Sequence, residues 1–379
     1  MRILIDLRCL QAPPPRGGVA RYAEGLTRTL LATDTVNDYT LFANGSIRPK
    51  VNLPVFDAPN AHWHIGRLPN KVLKGAHMLG IPTPRIDVDV ALLTNLDYVP
   101  FISHNTRCIV AVHDLSFEHF PEFFSLRQRA WHRVLRPRQL LNRADTILAV
   151  SRTTKRDVME TYCIPDEKIH VLYPGLAIPE SKTTNANQCP MSGANNHTIL
   201  GADTPYILAL SELSPRKNID GIVAAFAQLP ARYHLVIAGI RGSASPHLQQ
   251  LVHRSPAHDR IHCVGTVSEN EKRALLEHAR CFAYPSFWEG FGFPPLDAMA
   301  AGVPVVASTS GSLPEILDDA ALLVDPLDPN AIARALTIAL EDHQTRMTYI
   351  TRGRARAAEF TWATTVAQLQ TILSSLSKN

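Results

Sequence analysis

Short apolar runs recur along the first half of the chain at Ile3–Leu7, Thr40–Phe42, Val88–Leu93, Ile109–Val112, Thr146–Val150 and Lys168–Leu172. They are continuous rather than alternating, as expected of strands covered on both faces in a parallel sheet. The rhythm resumes at Tyr206–Leu210, His234–Ala238, Ile261–Val264, Cys281–Pro285, Val303–Ser308 and Ala321–Val324. Between them lie segments of helical period. Val19–Leu31 repeats apolar residues at Val19, Tyr22, Ala23, Leu26, Leu30 and Leu31. Ile219–Gln228, Glu269–Ala279 and Ala331–Glu341 also read as helices, and Ser151–Leu172 opens with a capping serine on another. Thr361–Leu376 carries an apolar stripe at Trp362, Val366, Leu369, Ile372, Leu373 and Leu376. Glu180–Thr204 is rich in Ser, Thr, Asn and Gly without period and reads as a linker. The pattern predicts an α/β protein with two sheets, in domains 1–180 and 205–358 joined by 181–204.

One stretch concentrates the chemistry: Tyr284 to Gly302, YPSFWEGFGFPPLDAMAAG. Glu289 and Asp297 stand eight residues apart. Between them run Gly290-Phe291-Gly292-Phe293 and a proline pair, Pro294-Pro295. Prolines suit the first turn of a helix, where their missing N–H is no loss. A helix over Leu296–Ala301 is therefore predicted, with the loop at its positive end, where anions are favoured. Gly290 and Gly292 would let a ligand approach the main chain. Glu289 and Asp297 can each accept from hydroxyls. An anion flanked by two polyols describes a nucleotide sugar. The plain alternative is a capped helix with a solvated Glu.

Three other sites carry candidate groups. Ser214-Pro215-Arg216-Lys217-Asn218 follows a strand and precedes a helix. Arg216 and Lys217 oppose the dipole of that helix, so an anionic ligand between them, such as a diphosphate, explains them better than solvent. Gln11–Gly18 (QAPPPRGG) is a loop, and Gly17 and Gly18 stand where a phosphate could meet the next helix. The order is not Gly-x-Gly-x-x-Gly, which weighs against a dinucleotide-dependent oxidoreductase. His113-Asp114 lies just past a strand end, where ligands collect in open parallel sheets; a helix-capping pair is the simpler account. Asp87-Val88-Asp89 spells a metal-binding triplet but precedes a strand and reads as structural.

Composition narrows the classes. The 379 residues are 45% hydrophobic and 19% charged, enough for real cores. Net charge is +4, too weak to argue for nucleic acid. Residues 1–180 hold 22 Lys/Arg against 17 Asp/Glu, so the basic excess lies in the first half. It gathers in Leu126–Arg143, with six arginines and Trp131, and in His62–Met78. Either could meet anionic lipid headgroups or a lipid-pyrophosphate acceptor, and either could be a solvated face. Pro137 should break the first into two pieces. The six cysteines form no Cys-x-x-Cys pair. Cys9, Cys108, Cys263 and Cys281 fall in apolar runs, as buried thiols do, which suggests a cytoplasmic location. No run of about 18 apolar residues predicts a membrane span; attachment to the inner face of the membrane stays open.

The Tyr284–Gly302 stretch resembles the Glu-x7-Glu motif of retaining glycosyltransferases of the GT-B fold, family 4, with Asp297 in place of the commoner Glu. Ser211–Asn218 is similar to that family's donor-phosphate segment, with Ser211 where glycine is common. VHDLSFEHFPEFFS, from Val112, resembles a recurrent family segment, as does Ser151–Leu172. The resemblance implies two Rossmann-like domains facing across a cleft, with a last helix (359–379) crossing back to the first. It implies transfer of a hexose from a nucleotide diphosphate sugar with retention. Glu289 would contact the donor sugar, Asp297 the ribose, Arg216 and Lys217 the diphosphate, Gly17 and Gly18 the phosphates, and main chain near Val267 the base. His113 would orient the sugar or donate to it. No cofactor and no metal are expected, because the fixed cations would do a metal's work. The His113–Ser125 segment looks like that of bacterial O-antigen and exopolysaccharide mannosyltransferases, which suggests GDP-mannose as donor, with UDP-hexoses open, and a lipid-linked oligosaccharide as acceptor. A non-catalytic nucleotide-sugar binder and a GT-B epimerase or hydrolase remain as rivals.

Overall fold

The computed structural model describes residues 1–12, 16–44, 53–66, 72, 75, 79, 85–97, 103, 105–176, 204–239 and 245–377. The chain divides into two units, Met1–Ala177 with Thr361–Asn379, and Ile178–Phe360. The linker expected at 181–204 lies outside the described residues apart from its last position. So do Pro13–Pro15 and Arg67, Lys71 and Lys74 of the second basic stretch.

The first unit is built on a parallel sheet ordered β3-β2-β1-β4-β5-β6-β7. Its strands are β1 Arg2–Asp6, β2 Asp38–Asn44, β3 Ala61–Gly66, β4 Val90–Leu93, β5 Arg107–Val112, β6 Thr146–Ala149 and β7 Ile169–Val171. Ile3, Leu4 and Ile5 of β1 are wholly buried, each contributing about 1.5–3 kcal/mol. That explains the continuous apolar runs. Strand β3 was not foreseen. It is the sheet edge, its residues are half-exposed or exposed, and AHWHIG offers no buried face to read.

The helix Gly18–Thr33 buries Tyr22, Ala23, Leu26 and Leu30, the face its periodicity predicts. The helix Trp362–Ser377 joins this unit. Trp362 sits over Gly25 and Gly175, where an added Cβ would come within 2.3 Å of the indole and 2.1 Å of the Trp362 nitrogen. Thr365 Oγ1 donates to Tyr173 O at 2.6 Å, and Val366, Leu369 and Leu373 are buried. The basic segment is two helices, Leu126–Leu135 and Pro137–Arg143, broken at Arg136 with φ 47°. Proline imposes that break.

The second unit carries a parallel sheet ordered β10-β9-β8-β11-β12-β13. Its strands are β8 Tyr206–Leu210, β9 His234–Ala238, β10 Ile261–Gly265, β11 Cys281–Tyr284, β12 Val305–Ser308 and β13 Leu322–Val324. A core of Ile222, Phe226, Leu235, Ile332 and Leu336 fills the space between sheet and helices. The helix His343–Ala358 escaped the sequence reading, because only Gly353 and Ala357 of its residues are buried. Of the four cysteines expected to be buried, Cys281 is, Cys9 and Cys108 are half-buried, and Cys263 is exposed. It lies on edge strand β10, where an apolar run has a side without neighbours. Cys189 is outside the described residues. No helix among them is long and apolar enough to cross a membrane.

Candidate active site

In each sheet the strand order reverses direction once, between β1 and β4 in the first unit and between β8 and β11 in the second. Ligands of open parallel sheets bind beyond the carboxyl ends of the strands at such a point. The second unit places its charged candidates there. After β8, Pro215–Lys217 forms a single tight turn, and Asn218 adopts φ 54°. Asparagine tolerates this left-handed conformation better than most residues. Its side chain accepts from Gly221 N at 3.1 Å and donates to Pro285 O and Pro326 O at 3.0 and 2.7 Å. The turn is thereby fastened to the loop after β11. Phe287 N donates to Arg216 O at 2.8 Å and adds a second fastening.

These fastenings bring Arg216, Lys217 and Glu289 together. Arg216 Nη1 lies 3.0 Å from Glu289 Oε2 and also donates to Trp288 O. Lys217 Nζ donates to Glu289 Oε1 at 2.6 Å and to Tyr284 Oη at 2.7 Å. Lys217 is 8% exposed and Glu289 6%. Burial alone would raise the Glu289 carboxyl; Arg216 and then Lys217 overcome it and hold it down to about 2. Burial, aided by Arg216 and opposed by Glu289, pulls the Lys217 ammonium below its ordinary value. Two cations thus share one carboxylate, a net positive centre. Gly311 secures its backbone. At φ 60° its added Cβ would lie 2.6 Å from Glu289 O and 2.8 Å from Glu289 N, so glycine is required.

The helix at the motif spans Phe293–Ala300, one turn earlier than the prolines suggested, with both of them inside its first turn. Gly292 has φ 101° and no side chain caps the end. Gly292 is therefore needed for the backbone turn itself, and its added Cβ would meet Leu313 at 2.8 Å. The rings of Phe291 and Phe293 pack edge to face at 5.1 Å, are 5% and 9% exposed, and reach Phe360 through Phe291 at 5.5 Å. Both rings are thus largely withdrawn from solvent. Gly290 is likewise buried.

Asp297, one turn along, lies 3.3 Å from Lys272 Nζ, which also reaches Glu269 at 2.7 Å. Lys272 stands on the helix Glu269–His278, capped by Ser268 just past Val267. The structure thus links the Val267 loop to Asp297 through a cation that the sequence reading missed. Tyr284 was missed too; its apolar run marked it only as strand.

Gly17, Gly18 and His113 belong to the first unit. Gly17 precedes the helix Gly18–Thr33 as an uncapped, exposed start. One turn in, Tyr22 packs edge-on against His113, with centroids 4.8 Å apart. His113 Nε2 lies 2.8 Å from Thr94 O, so Nε2 carries the hydrogen. Burial pushes the imidazole below its ordinary value, against the pull of the Thr94 carbonyl. In the neutral ring Nδ1 is then an acceptor. Asp87 and Asp89 lie at the opposite end of this sheet, both paired with Arg2 at 3.0 and 3.1 Å.

Comparison with known proteins bears on the fold and the family. The model described as "Glycosyltransferase Family 4" matches residues 16–178, and "Glycosyl transferases group 1" matches 195–356. The O-antigen chain mannosyltransferase B of Escherichia coli is 30% identical over 373 residues, 93% of this chain and 95% of that protein. The O-antigen chain mannosyltransferase RfbU of Salmonella typhimurium is 29% identical over 63% of this chain and 61% of its own. Among solved structures, sucrose-phosphate synthase from Thermosynechococcus elongatus superposes with a TM-score of 0.74 at 21% identity, covering 100% of this chain and 99% of that one. Anabaena HepE, solved with UDP and glucose, gives 0.71 at 19%, covering 99% and 100%. The fold is GT-B. With both halves matched in order, this chain belongs to glycosyltransferase family 4.

Proposed function

We propose that this glycosyltransferase moves mannose from GDP-mannose, with retention, onto a saccharide acceptor carried on lipid during synthesis of a bacterial surface polysaccharide. The observation that carries the reading is the Arg216–Glu289–Lys217 centre at the carboxyl ends of β8 and β11. The names of the O-antigen relatives support mannose and the acceptor class. Retention follows from the family resemblance.

The chemistry is that of charge. As the bond from the anomeric carbon to the diphosphate breaks, its electron pair stays with the phosphate. Arg216 and Lys217 are fixed where that charge would grow, and fixed donors need no reorganisation. The acceptor hydroxyl forms the new bond, and its proton passes to the departing phosphate oxygen. Glu289 holds sugar hydroxyls with its remaining lone pairs and faces the positive charge on the sugar. Main chain at Gly290–Phe293, with Gly17 and Gly18, serves the phosphates. Asp297 holds the ribose, and the Val267 loop faces the base. His113 orients the sugar by accepting a hydroxyl hydrogen at Nδ1, which its Thr94 bond favours over donation.

The test is a thermal-shift series with GDP, UDP, ADP and dTDP, followed by GDP-mannose turnover with and without acceptor. GDP should give the largest shift, since a ligand bound only by the folded state raises stability by mass action. Nucleotide release should depend on acceptor and survive chelation. Preference for UDP would replace the donor; loss of activity restored only by Mg²⁺ or Mn²⁺ would replace the mechanism.

The helices Leu126–Leu135 and Pro137–Arg143 expose Arg127, Arg133, Arg136, Arg138 and Arg143 beside Leu126, which is 82% exposed. This combination suits the anionic face of a membrane. The protein should co-sediment with phosphatidylglycerol vesicles and not with phosphatidylcholine ones, and charge reversal at Arg133 and Arg136 should abolish this. Equal retention on both vesicles would argue for solvated arginines.

A further inference from the structure

Strand β11 ends in a tyrosine to which the proposed chemistry gives no part. Tyr284 is 3% exposed. Its ring stacks on that of Phe282 at 5.9 Å, and its main chain is in register with Ala307 of β12. A strand inside the sheet therefore holds the side chain, with β8 on one side and β12 on the other. From there Oη takes a hydrogen from Lys217 Nζ at 2.7 Å, and the ammonium lies 4.9 Å from the ring centre. The phenol keeps its own proton, because burial and then the Glu289 carboxylate push it well above its ordinary value.

A lysine is a mobile donor. A flexible stem joins its ammonium to the backbone, and the three hydrogens turn about the last bond. Glu289 holds the ammonium at one point and is itself shared with Arg216 at 3.0 Å. Tyr284 supplies a second point from another direction. Lys217, on the turn after β8, is thus pinned between the loop after β11 and the strand itself. A phenylalanine would fill the same core with no polar atom to satisfy, so the hydroxyl is explained by the ammonium it meets. The other charged groups around Lys217 are Arg216 beside it and Glu212 in the loop after β8. Burial and Arg216 draw the ammonium toward losing its proton, and Glu289 and Glu212 oppose them. An uncharged acceptor such as the phenol oxygen also favours the ammonium.

We propose that Tyr284 is a positioning residue for sugar transfer. Its hydroxyl pins the Lys217 ammonium in place and in its charged form, so that the remaining hydrogen is directed at the departing diphosphate. Tyr284 acts through Lys217 and needs no contact of its own with either substrate. The proposal rests on the glycosyltransferase reading and adds the side chain that turns a flexible cation into a fixed one.

The test uses the full chain with GDP-mannose as donor and p-nitrophenyl glycosides of mannose, glucose and N-acetylglucosamine as acceptors. Tyr284→Phe should lower kcat about tenfold or more, the scale of one hydrogen bond to a charged group, with donor KM unchanged. The basic limb of kcat/KM for the donor should move to lower pH, because Lys217 without its second acceptor gives up its proton sooner. In a Lys217→Ala background the same substitution should cost nothing further in kcat, since residues that act as one unit are not additive. A tyrosine that only supports the fold would lower the melting temperature and leave kcat and the limb where they were. That outcome, or an equal fall in kcat with and without Lys217, would overturn the assignment while leaving the function intact. A wild-type chain that neither binds GDP nor turns over any glycoside would instead overturn the function on which the assignment rests.

Discussion

Lys217→Ala should lower turnover at least ~100-fold, the scale of losing a preorganised oxyanion donor, and leave the fold in place. The ammonium has three hydrogens. Two are committed, to Glu289 and to Tyr284, and in the proposed mechanism the third would serve the leaving diphosphate. Removing the amine takes away a charge that matters more as the bond breaks than before it. The loss should therefore appear in kcat rather than in donor KM. Glu289 keeps its bond to Arg216 in the variant, so no carboxylate is stranded. Steady-state kinetics beside a thermal melt checks both halves. A near-normal kcat removes the electrostatic account.

Glu289→Ala should be worse in a second way. It takes the shared anion from two cations that water hardly reaches, and breaking a buried pair in this manner costs about 3–5 kcal/mol. A large fall in melting temperature should accompany a loss of turnover of at least ~100-fold. Glu289→Gln separates the two effects, since it keeps the shape and a hydrogen-bond acceptor but not the charge. The pH dependence follows from the same pair. The folded-state carboxyl sits at about 2 against an ordinary 4.5. Its contribution is complete above pH 4.5 and is lost as pH falls from there toward 2. Wild type should lose melting temperature faster than Glu289→Gln across that window. Parallel curves for the two would show that Glu289 is not the anion of the pair.

What could be read in the residues, and what could not, divides along physical lines. Strands buried on both faces announce themselves, so β1, β4 and β8 were visible as apolar runs. Edge strand β3 and the helix His343–Ala358 bury too little to leave a pattern. Arg216 and Lys217 were legible because cations at a helix start are locally unfavourable without a partner, and Glu289 because it precedes a glycine loop at a helix start, where anions collect. Their convergence was expected only through the resemblance. Tyr284 and Lys272 were invisible for the opposite reason. A tyrosine in a strand and a lysine on a helix are ordinary, and only tertiary contact makes them neighbours of Glu289 and Asp297. Phe291 and Phe293 stand in the loop between the two acids, and the packing of their rings on one another and on Phe360 shows only in the structure.

The seating of Trp362 between Gly25 and Gly175 bears on the order in which the molecule can assemble. The second unit is one uninterrupted segment and has all its parts once residue 360 has emerged from the ribosome. The first unit is synthesised earlier but must wait, with Tyr22 and the Gly25 face uncovered, for residues 361–377. Translation therefore finishes the later half first. A chain halted after Phe360 would carry a complete second unit and an open, aggregation-prone first one.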